Sequence, residues 1–351
     1  MIALIADDLT GAGDASVQFA KRGWDVLLTL DVRLQPDTTG NNIIAVTTDA
    51  RALANDAARQ LTRDALMTLM NAGAERVFLN IDSTMRGSVR GQVEGALAAW
   101  RTRHPDARAV VCPAYPRMGR TVESGRLFVQ GEPVERTAIG RDPVSPVTTS
   151  DMAALLPPSD SIDIVDAATD DDLLKIAESI TAAGASVIPV GSGGLAAAIS
   201  EAWSGSIRRK ADRDPIQRRK NSRILLQVSS VNPVSHAQVA RLKARFPDVV
   251  VLMPPAERGD SAAVAADLAR EFAAQVEREE WDILGMVGGD GARATLQSLG
   301  ASGIRIIDSL IEGVPLGVVV GGSADGTPVF TKAGGFGDAE ALVKCVERMT
   351  A

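Results

Sequence analysis

Met1-Ile2-Ala3-Leu4-Ile5-Ala6-Asp7-Asp8-Leu9-Thr10-Gly11-Ala12-Gly13-Asp14 opens the chain with an apolar run that stops on two acids and a glycine-bearing turn. A short apolar run without polar alternation has the length and composition of a strand buried on both faces. Similar runs recur at 26–30, 43–46, 77–81, 109–112, 162–165 and 186–190, separated by amphipathic stretches that are plainest at 52–71 and 92–100. Strand alternating with helix predicts an α/β fold built on mostly parallel sheets, with helices on both faces.

Between residues 204 and 222 the alternation gives way to charge-dense sequence carrying Arg208-Arg209-Lys210 and Arg218-Arg219-Lys220. No buried face can be drawn through it, so it reads as a solvated connector. The organisation that follows is a first domain over 1–207, a polar linker over 208–221 and a second, smaller α/β domain over 222–351. In that second domain strands are expected at 224–228, 249–252 and 283–287, and helices near 233–245 and 262–279.

At 351 residues the chain is long enough for two buried cores. With 45% hydrophobic and 23% charged residues it has the composition of a globular protein rather than a disordered one. A formal net charge of -7 argues against a general nucleic-acid or acidic-membrane binder. Two cysteines, Cys112 and Cys345, are too few for a disulfide framework or a four-cysteine zinc site, which suits a reducing, cytoplasmic setting. No apolar run approaches the length of a membrane span.

The chemistry-bearing residues collect at strand exits, where open α/β sheets bind ligands. Asp7 and Asp8 follow the first strand, and Thr10, Gly11 and Gly13 add a turn whose backbone N–H groups suit an anion; Asp8 or Thr10 as a mere helix cap is the alternative, but one cap does not require two adjacent carboxylates. Asn80-Ile81-Asp82-Ser83-Thr84-Met85-Arg86-Gly87-Ser88 supplies carboxylate, hydroxyls and a guanidinium that matches a carboxylate or phosphate bidentately. Cys112-Pro113-Ala114-Tyr115-Pro116-Arg117-Met118-Gly119-Arg120-Thr121 forms a third polar turn. Glycines concentrate late, in Gly288-Gly289-Asp290-Gly291, Gly321-Gly322 and Lys332-Ala333-Gly334-Gly335-Phe336-Gly337, and such loops let backbone N–H groups approach phosphates. No G-x-x-x-x-G-K-[ST] occurs, which excludes a P-loop nucleotidase. Gly191-Ser192-Gly193-Gly194-Leu195-Ala196 formally matches a dinucleotide fingerprint, but lacks an acid at the end of a following strand.

Together, Ala6-Asp7-Asp8-Leu9-Thr10-Gly11-Ala12, Asp82-Ser83-Thr84-Met85-Arg86-Gly87, Pro113-Ala114-Tyr115-Pro116 with Gly119-Arg120-Thr121, and Lys332-Ala333-Gly334-Gly335-Phe336-Gly337 resemble the four-carbon acid sugar kinase family, in order and over nearly the whole chain. The resemblance implies an N-terminal domain for the sugar acid and a C-terminal domain for ATP. It implies transfer of the γ-phosphoryl group to a hydroxyl of a threonate, erythronate or 3-oxo-tetronate type acid. Asp8, Asp82, Ser83, Thr84, Arg86 and Arg120 would hold the substrate, with Arg86 on its carboxylate and Asp7 or Asp8 accepting the hydroxyl proton. Ser230, Gly288, Gly289, Asp290, Gly291, Lys332, Gly334 and Gly335 would hold ATP, with Asp290 beside Mg2+.

Three positions depart from the family pattern. Asn80 stands where Lys is usual, Ser229 where Gly is common, and Gly291 where Thr or Ser is frequent. These departures motivate an alternative, a sugar-acid sensor without ATP chemistry. Thr10-Gly11-Ala12-Gly13-Asp14 also imitates the anion hole of ribokinase-like kinases, though at the wrong end of the chain. The partners expected are a small sugar acid and ATP, with no nucleic acid and no membrane, and a homodimer is admitted.

Overall fold

The computed structural model describes residues 1–31, 43–204, 216, 221–254 and 261–351. The expected linker at 208–221 lies outside them except for Ile216 and Asn221. The chain divides into two compact units, Met1–Trp24 with Gln35–Arg209, and Asp25–Leu34 with Lys210–Ala351.

Along the chain run β1 (Ile2–Ala6), α1 (Leu9–Lys21), β2 (Val26–Thr29), β3 (Ile43–Thr47), α2 (Asn55–Asn71), β4 (Arg76–Asn80), α3 (Val89–Trp100) and β5 (Arg108–Cys112). There follow β6 (Arg120–Glu123), β7 (Arg126–Val129), β8 (Glu132–Pro133), α4 (Met152–Leu155), β9 (Ile162–Ile164), α5 (Asp170–Ala183), β10 (Val187–Gly191) and α6 (Gly193–Ala202). In the first unit β3-β1-β4-β10-β5-β9 form a parallel sheet, and β6-β7-β8 form a small antiparallel one. Passing from β1 to β3 moves one way across the sheet, whereas β3 to β4 and β4 to β5 move the other way. Right-handed crossovers therefore put α1 on one face and α2 with α3 on the other. In agreement, α2 packs on α3, while α1 and α5 both pack on α6.

Local sequence starts these helices. Asp8 caps α1 by accepting from Gly11 N at 2.7 Å, and Thr169 with Asp172 forms a capping box on α5, whose first turn carries Asp170, Asp171 and Asp172. Behind the sheet, Phe19 meets Phe78 edge-on with ring centroids 6.0 Å apart.

The second unit contains β11 (Ile224–Val228), α7 (Pro233–Arg245), β12 (Val250–Leu252), α8 (Ser261–Arg278), β13 (Ile283–Val287), α9 (Gly289–Ser298), β14 (Gly303–Ile311), β15 (Val314–Val320), β16 (Pro328–Lys332) and α10 (Ala341–Thr350). Its sheet is parallel through β12-β11-β13-β16 and antiparallel onward through β15, β14 and β2. The first domain read as an unbroken 1–207 thus differs from the structure, because β2 belongs to the C-terminal unit. Thr29, Leu28, Leu27 and Val26 pair with Gly303, Ile304, Arg305 and Ile306 of β14, and Asp25 holds Arg305 at 2.8 Å. An apolar run declares that it will be buried, but not against which sheet.

Candidate functional site

Ala6, Thr47, Asn80, Gly191 and Cys112 form the last paired row of the first sheet, through Ala6↔Thr47, Ala6↔Asn80, Gly191↔Asn80 and Gly191↔Cys112. Because the strands are parallel, every loop leaving that row emerges on one side. Asp7 and Asp8, Arg51, Asp82 to Arg86, Ser192 and Tyr115 all lie within a few residues of it.

These side chains interlock. Asp7 has 0% exposure, and both its oxygens receive Arg51, Nε to Oδ2 and Nη2 to Oδ1, each at 2.8 Å. Arg51 Nη1 also donates to Asp8 Oδ2 at 2.9 Å, and its Nη2 stands 3.8 Å from Asp82 Oδ1. Asp82 in turn takes Arg86 bidentately, from Nε at 3.0 Å and from Nη2 at 2.8 Å, and accepts from the Thr84 hydroxyl and the backbone N–H groups of Thr84 and Arg86. The turn that aims both N–H groups at Asp82 requires positive φ at Met85 (61°) and Gly87 (83°). A Cβ at Gly87 would collide with the Arg51 carbonyl, so two strand exits are locked together.

The electrostatics follow from this lattice. Burial pushes the Asp7 carboxyl up, and Arg51 offsets that only in part, so its pKa is raised. Burial also pushes Asp82 up, but Arg86, Arg51 and their hydrogen bonds outweigh it and hold Asp82 well below the usual carboxylate range. Asp8 is the more open acid: its side chain is 20% exposed and its Oδ2 accepts from the Thr10 hydroxyl at 2.8 Å. Ser83 is half-buried.

Two sequence expectations are corrected here. Arg86 does not stand ready for a substrate carboxylate, since Asp82 occupies it and its Nη1 lies 3.4 Å from Asp142 Oδ2. Asp7 is not an accessible base, because a fully buried carboxylate gripped by a guanidinium presents no free oxygen to a hydroxyl. Arg120 is the contrasting case: it donates to the Met118 carbonyl, makes no ion pair among the described residues, and its buried Nε has no hydrogen-bond partner there. Burial depresses its pKa, with Asp82 opposing and Arg86 reinforcing that shift. Arg51, which holds the lattice together, was missed in the sequence, because nothing local marks a guanidinium four residues beyond the end of β3.

The Gly191 turn has a packing explanation. A Cβ at Gly193 would collide with Asp14 Oδ2 and meet Tyr115, and one at Gly194 would collide with the Ala114 carbonyl. Close packing of protein groups therefore accounts for glycine at 193 and 194. Cys112 is buried and its thiol is pushed up to about 12 by burial, which leaves it inert.

In the second unit β11, β13 and β16 are neighbours, with Val228↔Val287 and Val287↔Lys332 in register. Their exits carry Ser229 and Ser230, the N-terminus of α9 at Gly289, and the 333–337 loop. A Cβ at Gly334 would fall on Ser230 Oγ, and Ser235 Oγ donates to the Gly334 carbonyl at 2.7 Å. Gly288 (φ 108°) turns β13 into α9, and Asp290 is exposed in the first turn of that helix. Lys332, expected as a charge for phosphates, is corrected: it has 0% exposure, and Nζ donates to the carbonyls of Ala333 (2.8 Å), Gly334 (3.3 Å) and Phe336 (2.8 Å). It shapes the glycine loop from behind. Burial lowers its pKa to about 8. Among the described residues no three His, Cys, Asp or Glu side chains are grouped to hold a metal ion, and no helix is long and apolar enough to cross a membrane.

Residues 2–162 match a sugar-binding N-terminal domain and residues 253–342 a nucleotide-binding C-terminal domain. A D-threonate kinase of Bordetella bronchiseptica is 35% identical, over 99% of this chain and 96% of its own length. The chain belongs to the four-carbon acid sugar kinase family. This family member is therefore an enzyme, a phosphotransferase acting on a sugar-acid hydroxyl. A second similar kinase, the D-erythronate kinase of Heliobacterium modesticaldum, is 26% identical over 99% of this chain and 96% of its own. Among solved structures, a Bordetella bronchiseptica domain of unknown function, a domain-swapped dimer with bound citrate, is 33% identical with a TM-score of 0.55, over 99% of this chain and 98% of its own.

Proposed function

We propose that the protein is an ATP- and Mg2+-dependent kinase that phosphorylates a hydroxyl of a four-carbon sugar acid, D-threonate being the first candidate. The observation that carries the reading is Arg120, a half-buried arginine with no ion pair among the described residues, in the unit that also carries the Asp7–Arg51–Asp8–Asp82 lattice. A planar guanidinium held in a desolvated setting without a direct ion pair is a receptor for a carboxylate. In the same unit, half-buried Ser83 and Asp8, whose side chain is 20% exposed, supply hydrogen-bonding groups for the hydroxyls of a short polyhydroxy acid, while buried Thr84 acts through its bond to Asp82.

Asp8 accepts the proton of the attacking hydroxyl, while Asp7, Arg51, Asp82 and Arg86 fix its position. A strong base is not required, because phosphoryl transfer depends mainly on alignment and charge stabilisation. Asp8 needs only the correct place, which its N-cap bond to Gly11 N and its bond from Thr10 provide. In the second unit Ser230, Gly288, Gly289, Gly291, Gly334 and Gly335 form the cradle for the ATP phosphates, and the α9 N-terminus offers backbone donors. Asp290 suits Mg2+, which commonly takes one or two protein carboxylates together with phosphate oxygens and water. When bound, the ion neutralises charge on the transferring phosphate. A homodimer also accords with this reading, since the similar Bordetella structure is a domain-swapped dimer.

A coupled ADP-release assay with ATP and Mg2+ over D- and L-threonate, D- and L-erythronate, their 3-oxo forms and glycerate tests this. Turnover with one four-carbon acid is expected. Tight sugar-acid binding with no phosphorylation of any of them would sink the kinase reading in favour of the sensor.

A further inference from the structure

This inference rests on the reading of the second unit as the nucleotide site. Gly291 lies in the first turn of α9, and a Cβ there would fall on Ser229 Oγ and Cβ while standing 2.7 Å from Gln227 Nε2. The space that a side chain at 291 would fill is already taken by a hydroxymethyl group from the adjacent strand exit. Ser229 is fixed there: its N–H donates to the Val287 carbonyl at 3.0 Å, and its Oγ lies 3.1 Å from the same oxygen. The residue is half-buried rather than enclosed. Beneath it, Gln227 has 0% exposure, and neither of its amide side-chain atoms has a hydrogen-bond partner among the described residues. A buried amide without partners is costly, and this one is turned toward the first turn of a helix whose N-terminal N–H groups favour anions.

We propose that Ser229 and Gly291 form one coupled unit, in which Ser229 presents the side-chain hydroxyl to the nucleotide phosphates at the α9 N-terminus and Gly291 is glycine because Ser229 occupies its side-chain volume. The Gln227 amide lines the floor of that pocket. On phosphate binding the Ser229 hydrogen swings from the Val287 carbonyl to a phosphate oxygen. The departures at 229 and 291 are then a single exchange, with the hydroxyl moved from the helix to the neighbouring strand exit.

The test is calorimetric binding of ATP, ADP and adenosine to the full chain as wild type, Ser229→Gly, Ser229→Ala, Gly291→Ser and the Ser229→Gly/Gly291→Ser double variant. Circular dichroism confirms that each variant is folded. Loss of a hydrogen bond to a charged group should weaken ATP and ADP about tenfold in both Ser229 variants. Adenosine, which has no phosphate, should be unaffected. Gly291→Ser should weaken ATP at least as much through collision with Ser229, and the double variant should return to within about threefold of wild type because coupled neighbours are non-additive. Unchanged ATP affinity in Ser229→Ala, or a double variant no better than its worse parent, would overturn the coupling while wild-type ATP binding leaves the nucleotide reading standing. Absence of ATP binding to wild type would overturn both.

Discussion

Arg51 grips Asp7 through two parallel hydrogen bonds of 2.8 Å and reaches Asp8 with its remaining nitrogen at 2.9 Å. One guanidinium leaving β3 thereby orients both acids that leave β1. Removing it by Arg51→Met leaves a buried carboxylate unpaired, at a cost of about 3–5 kcal/mol at neutral pH. Since the Asp7 pKa is already raised and would rise further, protonation relieves part of this cost, so the deficit should shrink as pH falls. Denaturant unfolding of wild type and variant across neutral to acid pH reads the effect. Arg51→Lys should fold better yet turn over poorly, because an ammonium lacks the fork that bonds Asp7 twice while reaching Asp8.

Asp82 makes the opposite contribution to acid stability. Its folded carboxyl is held far below its ordinary value of 3.8, so the unfolded chain takes up a proton first as pH drops. The stabilisation is complete above that value and is lost below it, at about 1.4 kcal/mol per pH unit. Unfolding measured between pH 4.5 and 2.5, on the order of two units around that pKa, should show a shallower fall for Asp82→Asn than for wild type. Parallel curves would mean that Asp82 is not the carboxylate responsible.

Lys332 titrates in the alkaline range. Its pKa is lowered to about 8 in the fold against 10.5 in an unfolded chain, so above pH 8 the unfolded state binds more protons. Its contribution should therefore rise between pH 8 and 10.5, and Lys332→Met should remove that rise. The same substitution releases the carbonyls of Ala333, Gly334 and Phe336, and KM for ATP should increase about tenfold with KM for the sugar acid unchanged. An equal rise in both constants would point to a general loss of fold.

Arg120→Ala should raise KM for the sugar acid by roughly ten- to a hundredfold, the cost of a charge-assisted contact, while leaving ATP affinity intact. Asp142→Asn, whose side chain meets Arg86 only at its outer nitrogen, 3.4 Å away, and otherwise accepts from the Val144 and Ser145 N–H groups, should change either constant much less. Steady-state kinetics with each substrate varied separate the two. If Arg120→Ala behaved like wild type, the carboxylate would have to bind elsewhere.

Legibility in the sequence followed the range of the physics. Asp7, Asp8 and Asp82 to Arg86 could be placed because a strand period and a following cap or turn are written in consecutive residues. Arg51 could not, because nothing in Asp49-Ala50-Arg51-Ala52 marks it; only the pairing of β3 with β1 makes it a neighbour of Asp7. Lys332 read as a phosphate ligand because its adjacent glycines suggest one, whereas its burial depends on how β16 packs.

By itself the sequence determined the α/β class and the polar and glycine-rich turns that follow its strands, since each rests on local periodicity, capping and turn-forming residues. Tertiary structure alone decided that β2 joins the C-terminal unit, that Arg86 is consumed by Asp82 while Arg120 has no ion pair among the described residues, and that Ser229 fills the space beside Gly291. The physical reason is common to all three. Strand pairing, charge compensation and volume exclusion act between residues far apart in the chain, and no local pattern records which partners meet.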